Sequence, residues 1–143
     1  MHSFSSHGSA SHGGPIPRAR LLVAEDDREM RRLLVESLRR DGHEIESVGS
    51  GLALLAHVRD GRSYDLVVSD VRMPGRTGLE VLADARARGW PSPVLLITAF
   101  GDDTTLDEAA RLGAIALFSK PFDMDDLRTA VLFFLGGSSS EAV

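Results

Sequence analysis

The chain has 143 residues, a net charge of −5 and no cysteine. That length suits one domain that buries a core without disulfide or metal staples. The missing thiols exclude disulfides and thiolate metal sites, and the acidic balance argues against broad binding to nucleic acid or membrane surfaces. No apolar run approaches the ~20 residues of a transmembrane helix, and no charged-then-apolar signal opens the chain, so the expected compartment is the cytoplasm.

Residues 1–17, MHSFSSHGSASHGGPIP, offer almost nothing to bury and read as a disordered leader or a cloning remnant. His2, His7 and His12 recur every five residues, a spacing that suits neither a helix face nor a known ligand set. The fold is expected over 18–135, and residues 136–143, GGSSSEAV, read as a flexible C-terminal tail.

Within 18–135 two kinds of segment alternate. The first predicted strand is RLLVA (20–24), followed by a helix over 28–41 with Met30, Leu33, Leu34 and Leu38 at helical spacing and Gly42 as its stop. EIESV (44–48) is the second strand, and 52–59 the second helix. DLVVS (65–69) is the third strand, and 78–88 the third helix, ended by Gly89. PVLLIT (93–98) precedes a helix over 103–112, ended by Gly113. AIALF (114–118) precedes the last helix, 124–135, with Asp123 as its N-cap. That last helix turns Met124, Leu127, Val131 and Phe134 inward and leaves Leu132 and Phe133 at least partly outward. Continuous apolar runs such as LVV and VLLI fit parallel strands covered on both faces. The expected class is therefore α/β, a doubly wound five-stranded parallel sheet with right-handed crossovers.

In open sheets of this kind the site lies outside the carboxyl ends of the strands. There the sequence places Glu25, Asp26 and Asp27 after strand one, Asp70 after strand three, Thr98 at the end of strand four, and Ser119 and Lys120 after strand five. Two carboxylates ~4 Å apart repel by about 4 kcal/mol at an effective dielectric near 20. Clustering Glu25, Asp26 and Asp70 therefore calls for a cation, and an all-oxygen donor set favours a hard one, Mg²⁺. Asp27, and Glu25 with it, could instead serve the helix dipole at 28. Asp70 has no such explanation, because Val71-Arg72-Met73-Pro74-Gly75 is a loop. Lys120 is the only lysine among sixteen basic residues, fifteen of them arginine, which marks its position as one that a planar fork does not fit.

These residues resemble the receiver domain of two-component response regulators. The resemblance rests on LLVAEDDREMRRLL, DLVVSDVRMPGRTGLEVL, PVLLITAFGD and LGAIALFSKPFDMDDL, with forty-four residues from Asp26 to Asp70, and covers roughly 20–135. It implies a flavodoxin-like (βα)5 fold with strand order 2-1-3-4-5. It implies that Asp70 is the phosphoacceptor, taking a phosphoryl group from a phosphohistidine of a sensor histidine kinase or histidine phosphotransfer protein. Asp26, Asp70 and the backbone carbonyl of Arg72 would hold Mg²⁺, with Glu25 acting largely through water. Thr98 and Lys120 would contact the phosphoryl group, and the Lys120–Pro121 bond would be cis. Arg72 and Phe100 would flank the path of the hydrolytic water, implying slow self-dephosphorylation. The family aromatic three residues before the lysine is replaced here by Leu117, with Phe118 on the opposite face.

The expected function is thus a phosphorelay switch without an output domain, not an enzyme in its own right. Its partners would be the phosphodonor and a downstream protein, with no nucleic acid and no membrane, and it would be a monomer or weak dimer. The alternatives are a receiver excised from a longer regulator, a docking module independent of phosphorylation, and a Mg²⁺-dependent phosphohydrolase. The last usually carries its nucleophile after the first strand, whereas the lone Asp here follows the third.

Overall fold

Apolar runs too short for helices, set between amphipathic segments, produce a layered α/β molecule in the computed structural model, which describes residues 2–3, 18–99 and 101–139. The elements in chain order are β1 (His2–Ser3), β2 (Arg20–Ala24), α1 (Arg28–Arg40), β3 (Glu44–Val48), α2 (Gly51–Arg59), β4 (Leu66–Asp70), α3 (Gly78–Ala87), β5 (Val94–Thr98), α4 (Asp103–Arg111), β6 (Ala116–Ser119) and α5 (Met124–Ser139). Strands β2 to β6 run parallel in the order β3-β2-β4-β5-β6, which is 2-1-3-4-5 when the parallel strands alone are numbered.

The sheet is covered on both faces, and the alternation along each strand sorts the core. Leu21, Val23, Leu66, Val68, Leu95, Ile97 and Phe118 face α1 and α5, where Leu34, Leu38, Leu127 and Val131 meet them. Leu22, Val67, Leu96 and Leu117 face the other way, toward Leu54, Val81, Leu82 and Ala109 of α2, α3 and α4. Buried on both sides, the central strands have no polar alternation to display, which is why they read as unbroken apolar runs.

The helix starts follow from local chemistry. Asp27, Ser50, Thr77 and Asp102 each accept a backbone N–H from the first turn of the helix that follows, and Thr77 and Glu80 form a reciprocal capping box. Asp123 Oδ1 accepts from Asp125 N at 2.8 Å, in keeping with its expected capping role. Gly42 ends α1 at a φ of +96°, a conformation open to glycine at little cost.

Beyond shifts of one or two residues at element ends, such as β4 at Leu66–Asp70 for 65–69 and β6 at Ala116–Ser119 for 114–118, the structure differs from the sequence expectations in two places. His2–Ser3, inside the stretch read as a disordered leader, add to β6 as an antiparallel strand, because an edge strand offers unpaired backbone groups. Met1 and residues 4–17 lie outside the described residues. Helix α5 runs on to Ser139, past Gly136 and Gly137, where a tail was expected. Glycine lowers helix propensity by about 1 kcal/mol but keeps its N–H donor, so it weakens a helix without ending it. Residues 140–143 are outside the described residues.

At the end of the sheet opposite the strands' carboxyl ends, Arg128 of α5 grips Asp41, just after α1, with Nε–Oδ2 at 3.1 Å and Nη2–Oδ1 at 2.7 Å. Beside it His43 is buried, its Nδ1 accepting from Ala19 N at 3.3 Å. Nε2 is buried and makes no hydrogen bond. Burial pushes the His43 imidazole below its ordinary pKa, while the nearby Asp41 and Asp65 charges pull the other way without prevailing. A His whose folded pKa is depressed stabilises the fold fully above its unfolded pKa of ~6.5 and loses that contribution as pH falls through the folded value. His43→Asn keeps an acceptor but does not titrate. Between pH 7.5 and 5, urea unfolding should show the wild type losing stability relative to His43→Asn. A constant difference across that range would contradict the depressed imidazole.

Candidate functional site

Parallel strands deliver their last residues to one edge, and the acidic residues of this chain gather there. Glu25 follows β2 and Asp70 ends β4, both buried at 0% and 4% exposure, while Asp26 beside them is exposed. One carboxylate oxygen from each of the three lies within 4.8 Å of the others. From β6 the Lys120 ammonium reaches Asp70 Oδ2 at 2.7 Å and Glu25 Oε1 at 3.2 Å. The Lys120–Pro121 peptide bond is cis, as expected.

Every oxygen of the two buried carboxylates is held. Asp70 Oδ1 accepts from Arg72 N at 3.0 Å, and Glu25 Oε2 accepts from Asp27 N at 3.0 Å. Burial pushes the Glu25 carboxyl up to about 7; the Asp27 N–H bond lowers it, the Asp70 carboxylate raises it further, and Lys120 lowers it. For Lys120, burial acts to lower the pKa, but the bond to Asp70 and the two carboxylate charges outweigh it and leave the ammonium above its ordinary value. The pocket thus holds more negative charge than one lysine balances, the condition under which an oxygen-lined site fits a hard divalent cation. Asp26 is the ligand-type residue open to solvent, and offers the entry side.

Thr98 is fully buried at the end of β5, paired in register with Ser119, and its carbonyl accepts from Lys120 N at 2.7 Å. The Arg72 side chain is exposed. Its charge contributes to lowering the Asp102 carboxyl, an effect led by the backbone N–H of Thr105. Phe100 lies outside the described residues. Leu117, at the position of the family aromatic, is fully buried facing the α2–α4 side, so there is no ring at this position to move between pockets. The helix α5 expectation holds: Leu127 and Val131 are buried, and Phe133 is 40% exposed.

Four features of the site were missed in the sequence. Glu25 shares Lys120 with Asp70, across ninety-five residues. Arg31 of α1 donates from Nη1 to the Glu25 carbonyl at 2.7 Å, and a Cβ at Gly49 would come within 2.7 Å of that same nitrogen. A Cβ at Gly78 would overlap the Asp70 carbonyl oxygen, and one at Gly51 would overlap the Arg76 carbonyl oxygen. The loop after Asp70 is therefore seated against glycine at two points, with Gly78 N donating to Val71 O at 2.7 Å. Glycine runs after strands are a sequence signal for close backbone approach, but they do not name the group approached.

A model of the response regulator receiver domain matches residues 21–132, and the chain belongs to that family. Among curated relatives, the transcriptional regulatory protein TcrA of Mycobacterium tuberculosis is 40% identical over 114 residues, covering 80% of this chain and 45% of TcrA. Sporulation initiation phosphotransferase F of Bacillus subtilis is 34% identical over 116 residues, covering 81% of this chain and 93% of that protein. Thus the chain spans about half the length of TcrA but nearly all of the phosphotransferase. Among solved structures, response regulator protein TrrA of Thermotoga maritima, in complex with Mg²⁺ and BeF, matches with a TM-score of 0.70 at 32% identity, covering 80% of this chain and 97% of TrrA. No helix among the described residues is long and apolar enough to cross a membrane.

Gly78→Ala should place a methyl against backbone that cannot swing aside, and lower stability by about 1–3 kcal/mol in urea unfolding. Gly136→Ala, in α5 with nothing within 4 Å of the added methyl, should be neutral or stabilising by up to ~1 kcal/mol. Equal effects at the two positions would contradict the seating of the Asp70 loop on Gly78.

Proposed function

We propose that this receiver domain takes a phosphoryl group from a phosphohistidine onto Asp70, with Mg²⁺ held by Asp26, Asp70 and the Arg72 backbone carbonyl and supported by Glu25. The observation that carries the reading is the Lys120 ammonium 2.7 Å from a buried Asp70, beside a three-carboxylate cluster. Bound Mg²⁺ supplies positive charge for the phosphoryl oxygens. The protein's own part is positioning. Asp70 Oδ1 is tied to the loop by Arg72 N, and Oδ2 faces the ammonium. As an Asp70 oxygen bonds to phosphorus, the donor's P–N bond breaks and the leaving imidazole takes up a proton. Lys120 balances charge on the transferred group, and the Thr98 hydroxyl serves as a further contact. In-line attack by water on phosphorus resets the site. The phosphoryl group comes to rest on the domain's own Asp70 until water removes it, so the domain acts as a phosphoacceptor switch that takes part in its own phosphorylation and dephosphorylation.

We further propose that the chain acts as a relay element or shuttle, receiving from a sensor histidine kinase or histidine phosphotransfer protein and changing its affinity for a downstream protein. The 93% coverage of the Bacillus phosphotransferase supports that reading, and the 45% coverage of TcrA supports the alternative, a receiver within a longer regulator. The cytoplasm is the compartment proposed for either.

Incubation with acetyl phosphate and Mg²⁺ should add one phosphoryl group by intact mass, and Asp70→Asn should abolish the gain. No gain in the wild type would favour docking independent of phosphorylation. Mg²⁺ at a hundredfold its Kd should raise unfolding stability by about 2.7 kcal/mol through mass action. Asp26→Ala should remove most of that increment while leaving the fold intact by circular dichroism. A full Mg²⁺ response in Asp26→Ala would overturn the proposed ligand set.

A further inference from the structure

Asp26 is exposed, and among the described residues no hydrogen bond reaches its carboxylate. Its aim is therefore set by the backbone on either side of it, and one residue holds both sides. Arg31 N donates to Asp27 O at 2.8 Å, closing the first turn of α1, while Arg31 Nη1 donates to Glu25 O at 2.7 Å. Glu25 O belongs to the peptide unit that carries the Asp26 N–H. That unit is planar, so holding the oxygen holds the plane from which Asp26 projects. On its amino side Glu25 is tied to β3, with its N–H donating to Val48 O at 3.1 Å.

The chain makes room for the Arg31 contact. The residue after Val48 is Gly49, and a Cβ there would stand 2.7 Å from Arg31 Nη1 and 3.4 Å from Cζ. The guanidinium thus crosses the end of β3 over the one residue type that has no side chain. Among the described residues Arg31 forms no ion pair, although its neighbour Arg32 pairs with Glu29 and Glu36. A cation that stands beside an acidic edge yet bonds a carbonyl is placed for geometry more than for charge balance, and a charge-assisted bond of this kind is roughly twice as strong as a neutral one.

On the reading of Glu25, Asp26 and Asp70 as the Mg²⁺ site, we propose that Arg31 is its positioning residue. By fixing the Glu25–Asp26 peptide it aims Asp26 toward the other two carboxylates, and Gly49 is the slot that admits it. Charge alone gives the opposite sign. A fixed positive charge near a cation site opposes Mg²⁺, so removing it would tighten binding if charge were all that Arg31 supplied. Loss of a group that orients a metal ligand weakens binding, by about tenfold or more.

Two measurements on the full-length chain decide between these: Mg²⁺ titration calorimetry, and NMR relaxation of backbone amides in the metal-free protein. Arg31→Met should raise the Mg²⁺ Kd about tenfold. It should also lower the order parameter of the metal-free Asp26 amide from about 0.85 toward about 0.6. Gly49→Ala keeps the charge but puts a methyl where the flexible end of Arg31 lies, and should do the same. The double variant should be no worse than either single one, because both act on one contact. Arg31→Lys, which still offers a donor, should recover part of the affinity. Tighter Mg²⁺ binding in Arg31→Met would refute the positioning role, as would an unchanged Asp26 amide or additive losses in the double variant. Absence of Mg²⁺ binding in the wild type would instead strike the metal reading, and the metal-free order parameters would still decide whether Arg31 holds Asp26.

Discussion

One ammonium between two buried carboxylates organises the carboxyl edge of this sheet. Lys120 comes from the last parallel strand, Asp70 from the central one, and Glu25 from the loop after β2, so a single side chain ties together elements distant in sequence. Buried ionised groups are tolerated where they are paired and fully hydrogen-bonded. The site meets that condition by drawing on backbone N–H groups of Asp27 and Arg72, which fixes the two loops as well as the charges. Charge balance and loop shape are therefore one constraint. A cation entering from the Asp26 side would relieve the carboxylate repulsion without disturbing the lysine.

The scaffold serves this edge by being ordinary elsewhere. Strands buried on both faces need only apolar bulk, and Val, Leu and Ile supply it. The turns at the site are less permissive. Gly78 lies against the Asp70 carbonyl and Gly51 against the Arg76 carbonyl, so the loop after Asp70 is packed backbone to backbone. Such contacts leave little slack, since there is no flexible side chain to give way.

Much of the fold was legible in the sequence because its signals are local. RLLVA and EIESV coincide with strands β2 and β3, Asp27 stands at the start of the helix it was expected to serve, and Asp123 accepts the N–H that its capping role requires. The strand order and the lysine's orientation came from the family resemblance, not from periodicity. What could not be read was contact between distant residues. Nothing in the run REMRRLLV says that Arg31 alone of its neighbours turns back onto the Glu25 carbonyl, nor that Gly49 leaves room for it. The strand at His2–Ser3 was invisible for a related reason. Two polar residues carry no strand signal, and the pairing is dictated by the edge they meet. The extension of α5 past Gly136 and Gly137 was not legible because a Gly- and Ser-rich run carries no helix signal of its own.

The two faces of the sheet are fastened differently. On one, α1 buries Leu34 and Leu38, and its end is tied to α5 by the two-pronged Arg128–Asp41 pair. On the other, α4 fully buries only Ala109, with Leu106 and Leu112 half-covered. The light packing on the second face is confined to α4, since α2 and α3 beside it bury Leu54, Leu55, Val81 and Leu82. The molecule is thus mechanically lopsided: its acidic edge is backed firmly by α1 and α5 and more lightly by α4.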